Sequence, residues 1–192
     1  MSAGEGKDGG SVARVRAALR AAGHPDAVRE FPEGTRSAAD AARAVGCEVG
    51  GIAKSVIFRG TAPDGTARPV LVVASGAHSV DPEKVAALTG LSIGRAEGRW
   101  VREATGFAIG GVAPVGHLTP PVVLVDEALF AQAEVWAAAG SPRSVFPSTA
   151  AELLRMSGGT RAAVSADGPG PMPPESPGEV PHPSAGTQPL PG

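Results

Sequence analysis

Ile52-Ala-Lys-Ser-Val-Ile-Phe58 and Val70-Leu-Val-Val-Ala74, separated by a turn centred on Asp64-Gly65, decide how this chain is built. Both runs are rich in β-branched residues, and Asp-Gly is a favoured turn pair, so the stretch reads as two strands joined in a hairpin. Upstream, Ser37 and Asp40 are spaced as a capping box, with Asp in place of the usual Glu, and open an alanine-rich helix that Gly46 ends. Earlier still, Ser11 is placed to cap a helix running to Ala22 and stopped by Gly23, with Val12, Val15, Ala18 and Leu19 on one face. The opposite face carries Arg14, Arg16 and Arg20, the pattern of a solvated surface. Val28 to Phe31 reads as a short extended piece.

Downstream of the hairpin, Asp81-Pro82 supplies a cap and first helical residue for a helix to Leu88, and another helix is expected from Glu97 to Ala104. Val122-Val-Leu-Val125 is a continuous apolar run suited to a strand buried on both faces. Glu127 to Phe130 fits a helical turn, Val135 to Ala138 and Ser144 to Phe146 fit strands, and Ser148 or Thr149 caps a last helix through Met156. Strands and helices interleave without a regular βαβ rhythm or an internal repeat. That order points to a mixed α/β (α+β) domain around one curved sheet.

A length of 192 residues suits one well-packed domain. The composition is uneven, because residues 165–192 hold nine of the 19 prolines and almost no large apolar side chain. Such a segment cannot bury enough surface to offset its ordering entropy. Residues 165–192 are therefore expected to be a disordered Pro-rich tail, 1–10 a flexible N-terminus, and 11–164 the folded domain. Within 11–164, sixteen Lys and Arg stand against fourteen Asp and Glu, whereas the whole chain carries a formal net charge of −2. This balance argues against extended binding along a phosphate backbone, DNA included, and leaves room for contact with one end of a nucleic acid. Cys47 is the single cysteine, which excludes an intrachain disulfide framework and suits a reducing compartment. With no bilayer-length apolar run and no signal pattern, a cytoplasmic location without a membrane partner is expected. No Cys/His cluster has zinc spacing, and neither a metal nor a cofactor is expected.

Lysine is rare here, three residues against fourteen arginines, yet Lys54 sits inside the first hairpin strand. Period-two alternation puts it on one face with Ile52, Val56 and Phe58, so its ammonium can border an apolar pocket and hold a phosphate or a carbonyl oxygen. An edge-strand lysine reaching for water has the same pattern. A second candidate is Gly106-Phe-Ala-Ile-Gly-Gly-Val-Ala-Pro-Val-Gly-His117. Gly106, Gly110, Gly111 and Gly116 permit close backbone approach, and Pro114 stiffens the turn, so successive N–H groups can face an anion or a carbonyl oxygen. A tight connection between buried elements has the same composition. His117 closes the loop, where it can donate a hydrogen bond, move a proton or face solvent. Asp126 ends a buried strand, where ligand-binding groups collect in α/β sheets, and is equally suited to cap the turn that follows. The motifs G-x-S-x-G, G-x-x-x-x-G-K-[ST] and G-x-G-x-x-G are absent, which removes the main support for serine-hydrolase, P-loop and dinucleotide-binding chemistry. Cys47 has no evident His partner and reads as structural, and Trp100 and Trp136 read as core or pocket wall.

As a set, Lys54, Gly106-Phe107, Gly110-x-x-x-Pro114-x-Gly116-His117, Val125-Asp126 and Ala139-Gly140 resemble the YbaK/ProX family of aminoacyl-tRNA editing domains, related to the editing insertion of bacterial prolyl-tRNA synthetases. The likeness runs from Ser11 to Met156 and includes the Ser37–Gly46 helix. It implies a single domain with a curved, mixed, barrel-like sheet flanked by helices. It also implies metal-free hydrolysis of the ester linking an amino acid to tRNA, with water as nucleophile and, in some members, help from the tRNA's own ribose hydroxyl. Carried over by position, Lys54 would contact the terminal adenosine's phosphate or the ester, and Gly110 to Pro114 would surround the aminoacyl group. Gly106, Phe107, Gly111, Gly116 and Gly140 would complete the binding wall, and Asp126 and His117 would join Lys54 as catalytic groups.

The implied partners are the acceptor end of mischarged tRNA and prolyl-tRNA synthetase, and a free-standing trans-editing protein is implied. Ser55 after Lys54 looks like the Lys-Ser/Thr pattern of the YbaK and synthetase-insertion branches, unlike the Lys-Asn of a branch that removes alanine. Phe107 stands where many relatives have tyrosine. Cys-tRNA(Pro) and Ala-tRNA(Pro) are the leading substrates. An aminoacyl ester is already activated, so positioning and oxyanion stabilisation suffice and the missing nucleophile is no objection. Two competing readings remain: a module that binds an aminoacyl-nucleotide in the same pocket without turnover, and an interaction protein that presents its Pro-rich tail.

Overall fold

A computed structural model of the chain describes residues 5–35 and 37–166, and the expected Pro-rich tail beyond Ala166 lies outside the described residues. Helix α1 spans Glu5–Ala21, so it starts ahead of the cap expected at Ser11. Ser11 lies inside the helix, and its hydroxyl donates to the Gly106 carbonyl at 3.2 Å instead of to its own helix end. Val12, Val15 and Leu19 are buried, as their spacing requires. Strand β1 is only Arg29–Glu30. Helix α2 (Ala38–Val45) is capped by Ser37, which accepts from the Asp40 N–H, and ends at a left-handed Gly46.

Strands β2 (Ile52–Thr61) and β3 (Ala67–Ser75) form the expected hairpin, longer at both strands than the apolar runs alone, and paired from Ala53–Ser75 to Thr61–Ala67. Helix α3 (Pro82–Thr89) starts at the Asp81 cap. Strand β4 (Ser92–Arg95) was not expected, since Gly94 breaks its pattern; it forms because β2 offers an edge from Phe58 to Thr61. Helix α4 (Gly98–Thr105), β5 (Val122–Asp126), a 3-10 turn (Glu127–Ala131), β6 (Val135–Ala138), β7 (Ser144–Ser148) and helix α5 (Ala150–Ser157) follow the sequence reading closely. Thr149 and Glu152 form a reciprocal capping box on α5, and such a cap contributes about 1 kcal/mol. A last short strand, β8 (Thr160–Ala162), follows two glycines and is too short to show a period.

All the strands among the described residues share one sheet, in the order β1-β7-β6-β2-β3-β5-β8, with β4 added on β2. It is mixed: β2–β3, β6–β7, β1–β7 and β2–β4 are antiparallel, and β2–β6, β3–β5 and β5–β8 are parallel. The sheet flanked by helices is as expected, but it stays open, with β1 and β8 at its two ends. One face is covered by the cluster of Val15, Leu19, Leu71, Phe107 and Phe146, the other by that of Val70, Val72, Val85 and Leu124. Each such fully buried side chain contributes about 1.5–3 kcal/mol, so these two clusters carry most of the stability. A third, smaller cluster under α2 is built from Ala41, Ala42, Ile52, Trp136 and Val145, and its alanines leave room between helix and sheet. No helix among the described residues is long and apolar enough to cross a membrane.

One break in the pairing positions the site. On the edge of β2 that faces away from β3, β6 pairs only with Ile52 and Ala53, and β4 only from Phe58 to Thr61. Lys54 to Ile57 therefore have no strand beside them on that edge.

Candidate active site

Where β2 and β6 part, a pocket of about 170 Å³ opens. Its floor is Ile52 to Ser55 of β2, and α2 contributes Ala38, Ala41 and Val45 to one side. Trp136, Ala138 and Val145 form the wall opposite, Gly110 and Val112 close the top, and Thr35 and Ser37 add hydroxyls at the rim. The cavity is apolar except at a few points, the usual character of a small-ligand site. Trp136 is held in place from outside by the Arg29 guanidinium, 4.8 Å from its ring centroid.

Lys54 lines this pocket, between the cluster under α2 that holds Ile52 and the cluster that holds Val56 and Phe58. Its ammonium donates to the His78 carbonyl, which fixes its position and leaves it further N–H donors. Ser55 also lines the pocket; its hydroxyl oxygen is buried and has no hydrogen-bond partner among the described residues. An unpaired buried hydroxyl is costly, about 1–3 kcal/mol, unless something else supplies its partner. Sequence reasoning met Ser55 only through the family resemblance, because a serine on a strand carries no signal of its own.

Asp126 and His117 lie outside the pocket lining. Asp126 is 1% exposed, and both of its oxygens are engaged: Oδ1 accepts from the Ala128 N–H and Oδ2 from the Ser75 N–H, each at 3.1 Å. It caps the 3-10 turn and braces the end of β3. It reaches Lys54 only indirectly, since His78 Nδ1 lies 3.9 Å from Asp126 Oδ2 and the His78 carbonyl holds the lysine. His117 is packed edge-on against Phe107, with ring centroids 5.2 Å apart, and its Nε2 is 2.7 Å from the Ala113 carbonyl. A carbonyl can only accept, so Nε2 carries the proton. Burial pushes the His117 pKa below its ordinary value, opposed by the Ala113 carbonyl and aided by the Arg14 charge.

Of the glycine-rich loop, Gly110 lines the pocket, while Gly106, Phe107, Pro114 and Gly116 lie outside its lining. Their anchor is Arg14 of α1: Nε donates to the Gly116 carbonyl at 2.6 Å, Nη2 donates to the Gly106 carbonyl at 2.9 Å, and the guanidinium lies 4.7 Å from the Phe107 ring centroid. The expected solvated face of α1 is thus corrected at this residue, whereas Arg16 and Arg20 pair with Asp26 at the surface. Arg14 is four residues before Ala18 and one before Val15, on the flank of the apolar stripe, and that spacing is the signal which could have found it. Gly111 serves close packing instead, for a Cβ there would come within 2.7 Å of the Ser141 Cα, so only glycine lets this loop and the β6–β7 connection touch. Gly140, in the same connection, packs on the backbone of Ser11, where a Cβ would come within 2.8 Å. Cys47 is half-buried, and burial with nearby Glu134 and Glu48 pushes its thiol up, against nucleophilic use. No three His, Cys, Asp or Glu side chains among the described residues are grouped to hold a metal ion.

Residues 32–156 match the model of the aminoacyl-tRNA editing domain. The chain belongs to that family. This editing domain is 33% identical, over 130 residues, to the uncharacterized protein YwhH of Bacillus subtilis (strain 168), covering 68% of this chain and 80% of that protein. It is 44% identical, with a TM-score of 0.73, to a crystal structure whose assignment as a trans-editing enzyme for prolyl tRNA synthetase is provisional, covering 81% of this chain and 96% of that one. A scaffold protein used for computational epitope grafting is 41% identical, with a TM-score of 0.74, over 81% of this chain and 97% of that one. The resemblance drawn from Lys54 and the glycine-rich loop is borne out, and so is the mixed α+β fold. The pocket lies wholly within the matched segment; Arg14 lies outside it.

Proposed function

We propose that this editing domain is an aminoacyl-tRNA deacylase that hydrolyses the ester of mischarged tRNA(Pro), acting in trans in the cytoplasm alongside prolyl-tRNA synthetase. One observation carries the reading: a small apolar pocket is lined by the lysine Lys54 and by Ser55, whose buried hydroxyl has no partner among the described residues. At about 170 Å³ the pocket suits the side chain of an alanyl or cysteinyl group. Water attacks the ester carbonyl carbon, the bond from that carbon to the ribose oxygen breaks, and the proton from water ends on the ribose oxygen. Lys54 either steadies the developing oxyanion or holds the terminal phosphate, and the Ser55 hydroxyl gains the partner it lacks in the free protein. Gly110 supplies backbone beside the aminoacyl group. Asp126 acts through the loop that carries His78, as a positioning residue, and His117 and Phe107 act by holding the glycine-rich loop.

Selection between alanine and cysteine by such a pocket is modest, because a methyl and a thiol differ little in an apolar site. Incubation with Cys-, Ala- and Ser-tRNA(Pro) tests the proposal, with release of at least one amino acid well above buffer as the expected result. Lys54→Ala loses most of that activity and keeps its unfolding transition. No release from any of the three, or saturable binding without turnover, refutes it.

A further inference from the structure

The pocket holds an aminoacyl group but not the nucleotides behind it, since about 170 Å³ is well below the roughly 300–1,000 Å³ of sites that enclose drug-sized ligands. On the proposed reading, the 3′ end of the tRNA must therefore lie on the surface next to the pocket. The unpaired edge of β2 leads away from it. Ile52 O accepts from the Gly76 N–H, which fixes the phase of the hairpin, so Ser55 and Ile57 turn their N–H and C=O groups away from β3 and into the gap between β6 and β4. The edge then meets Arg59, which is exposed and lies 5.6 Å from the centroid of the half-buried Trp100 ring. Ile109 closes the contour: it is 62% exposed, adjoins the pocket residue Gly110, and packs near Gly98 at the start of α4.

We infer that this strip, from Ser55 along β2 to the Arg59–Trp100 stack and back by Ile109, carries the single-stranded 3′ end of the tRNA; the inference rests on the deacylase reading for its ligand. Four residues of strand span about 13 Å, room for a short run of single-stranded nucleotides. Arg59, backed by an indole, presents a flat cationic face on which a base stacks and to which a phosphate binds. Charge favours this side of the pocket as well. Arg59, Arg95, Arg99 and Arg102 outnumber Glu97 and Glu103 here, whereas on the other side Arg29, Arg43 and Arg143 are offset by Glu30, Glu33, Asp40 and Glu134.

The test is fluorescence anisotropy of the full chain with an uncharged minihelix of the tRNA(Pro) acceptor stem, with and without its CCA end. Arg59→Ala, an exposed position that leaves the core intact, weakens binding of the CCA-ended minihelix about tenfold and leaves the truncated one unchanged. Arg20→Ala, on the far side of α1, changes neither. Equal binding by Arg59→Ala and the parent protein, an equal loss on both RNAs, or no binding of the minihelix at all overturns the inference. The two ideas separate cleanly: a protein that hydrolyses mischarged tRNA but ignores Arg59 loses only the strip. One whose binding needs Arg59 and CCA but which hydrolyses nothing loses only the deacylase.

Discussion

Arg14→Ala is the substitution whose effect can be worked most fully from the structure. It removes two hydrogen bonds from a charged donor, to Gly116 O at 2.6 Å and Gly106 O at 2.9 Å, and a guanidinium 4.7 Å from the Phe107 ring centroid. Hydrogen bonds to charged groups contribute about 1.5–3 kcal/mol each, and a cation–π contact about 0.5–1 kcal/mol. Both carbonyls are only partly buried, so water replaces some of the loss, and the three contacts act as a unit and do not add fully. A destabilisation of about 2–4 kcal/mol follows, which at a mid-range urea slope of about 2 kcal/mol per molar lowers the midpoint by about 1–2 M. Urea unfolding followed by the fluorescence of Trp100 and Trp136 reads this directly. Arg99→Ala is the control, since its side chain is 90% exposed and paired only with Glu103 one turn on, a contact worth little. A midpoint shift for Arg14→Ala no larger than for Arg99→Ala refutes the clamp, and with it the claim that α1 holds the glycine-rich loop.

Two further expectations follow from buried polar groups. Ser55→Ala removes a hydroxyl with no partner in the free protein, so the urea midpoint holds or rises slightly, while deacylation falls about tenfold, equal to about 1.4 kcal/mol of barrier. Full activity in that variant removes Ser55 from the substrate's contacts. For His117, the folded pKa lies below the ordinary value of 6.5, chiefly through burial. The unfolded chain therefore binds more protons between the two values, and stability present above pH 6.5 is lost as pH falls from there toward the lowered pKa. His117→Asn flattens that part of the stability curve; identical slopes in urea melts from about pH 7.5 to 5.5 contradict the assignment.

The hairpin, the α2 cap, the buried β5 run and the last helix were legible because each is marked by a local signal: a period, a capping side chain or a glycine in left-handed geometry. β4 and β8 were not, because short strands form where a neighbour offers an edge, and that edge exists only after the sheet has assembled. In the site, Lys54 stood out by rarity and position. Gly106, Gly116 and His117 were read as ligand-facing because a glycine-rich loop looks the same whether its carbonyls meet a ligand or an arginine from a distant helix. Asp126 illustrates the same ambiguity, as its cap and its bracing of Ser75 use both oxygens that chemistry would need. Ser55 gave the least warning, for what distinguishes it is a missing partner.

The clamp by Arg14 also separates two kinds of boundary. The match to the family model starts at residue 32, but the arginine that steadies its central loop, and the Val15 and Leu19 packed beneath it, come from a helix ahead of that start. A fragment cut at the recognisable edge would keep every side chain of the pocket. It would also open the apolar face under Phe107 to water and leave two carbonyls without their donor. The segment that the family model matches is thus smaller than the unit that folds, and the glycine-rich loop depends on the part left out.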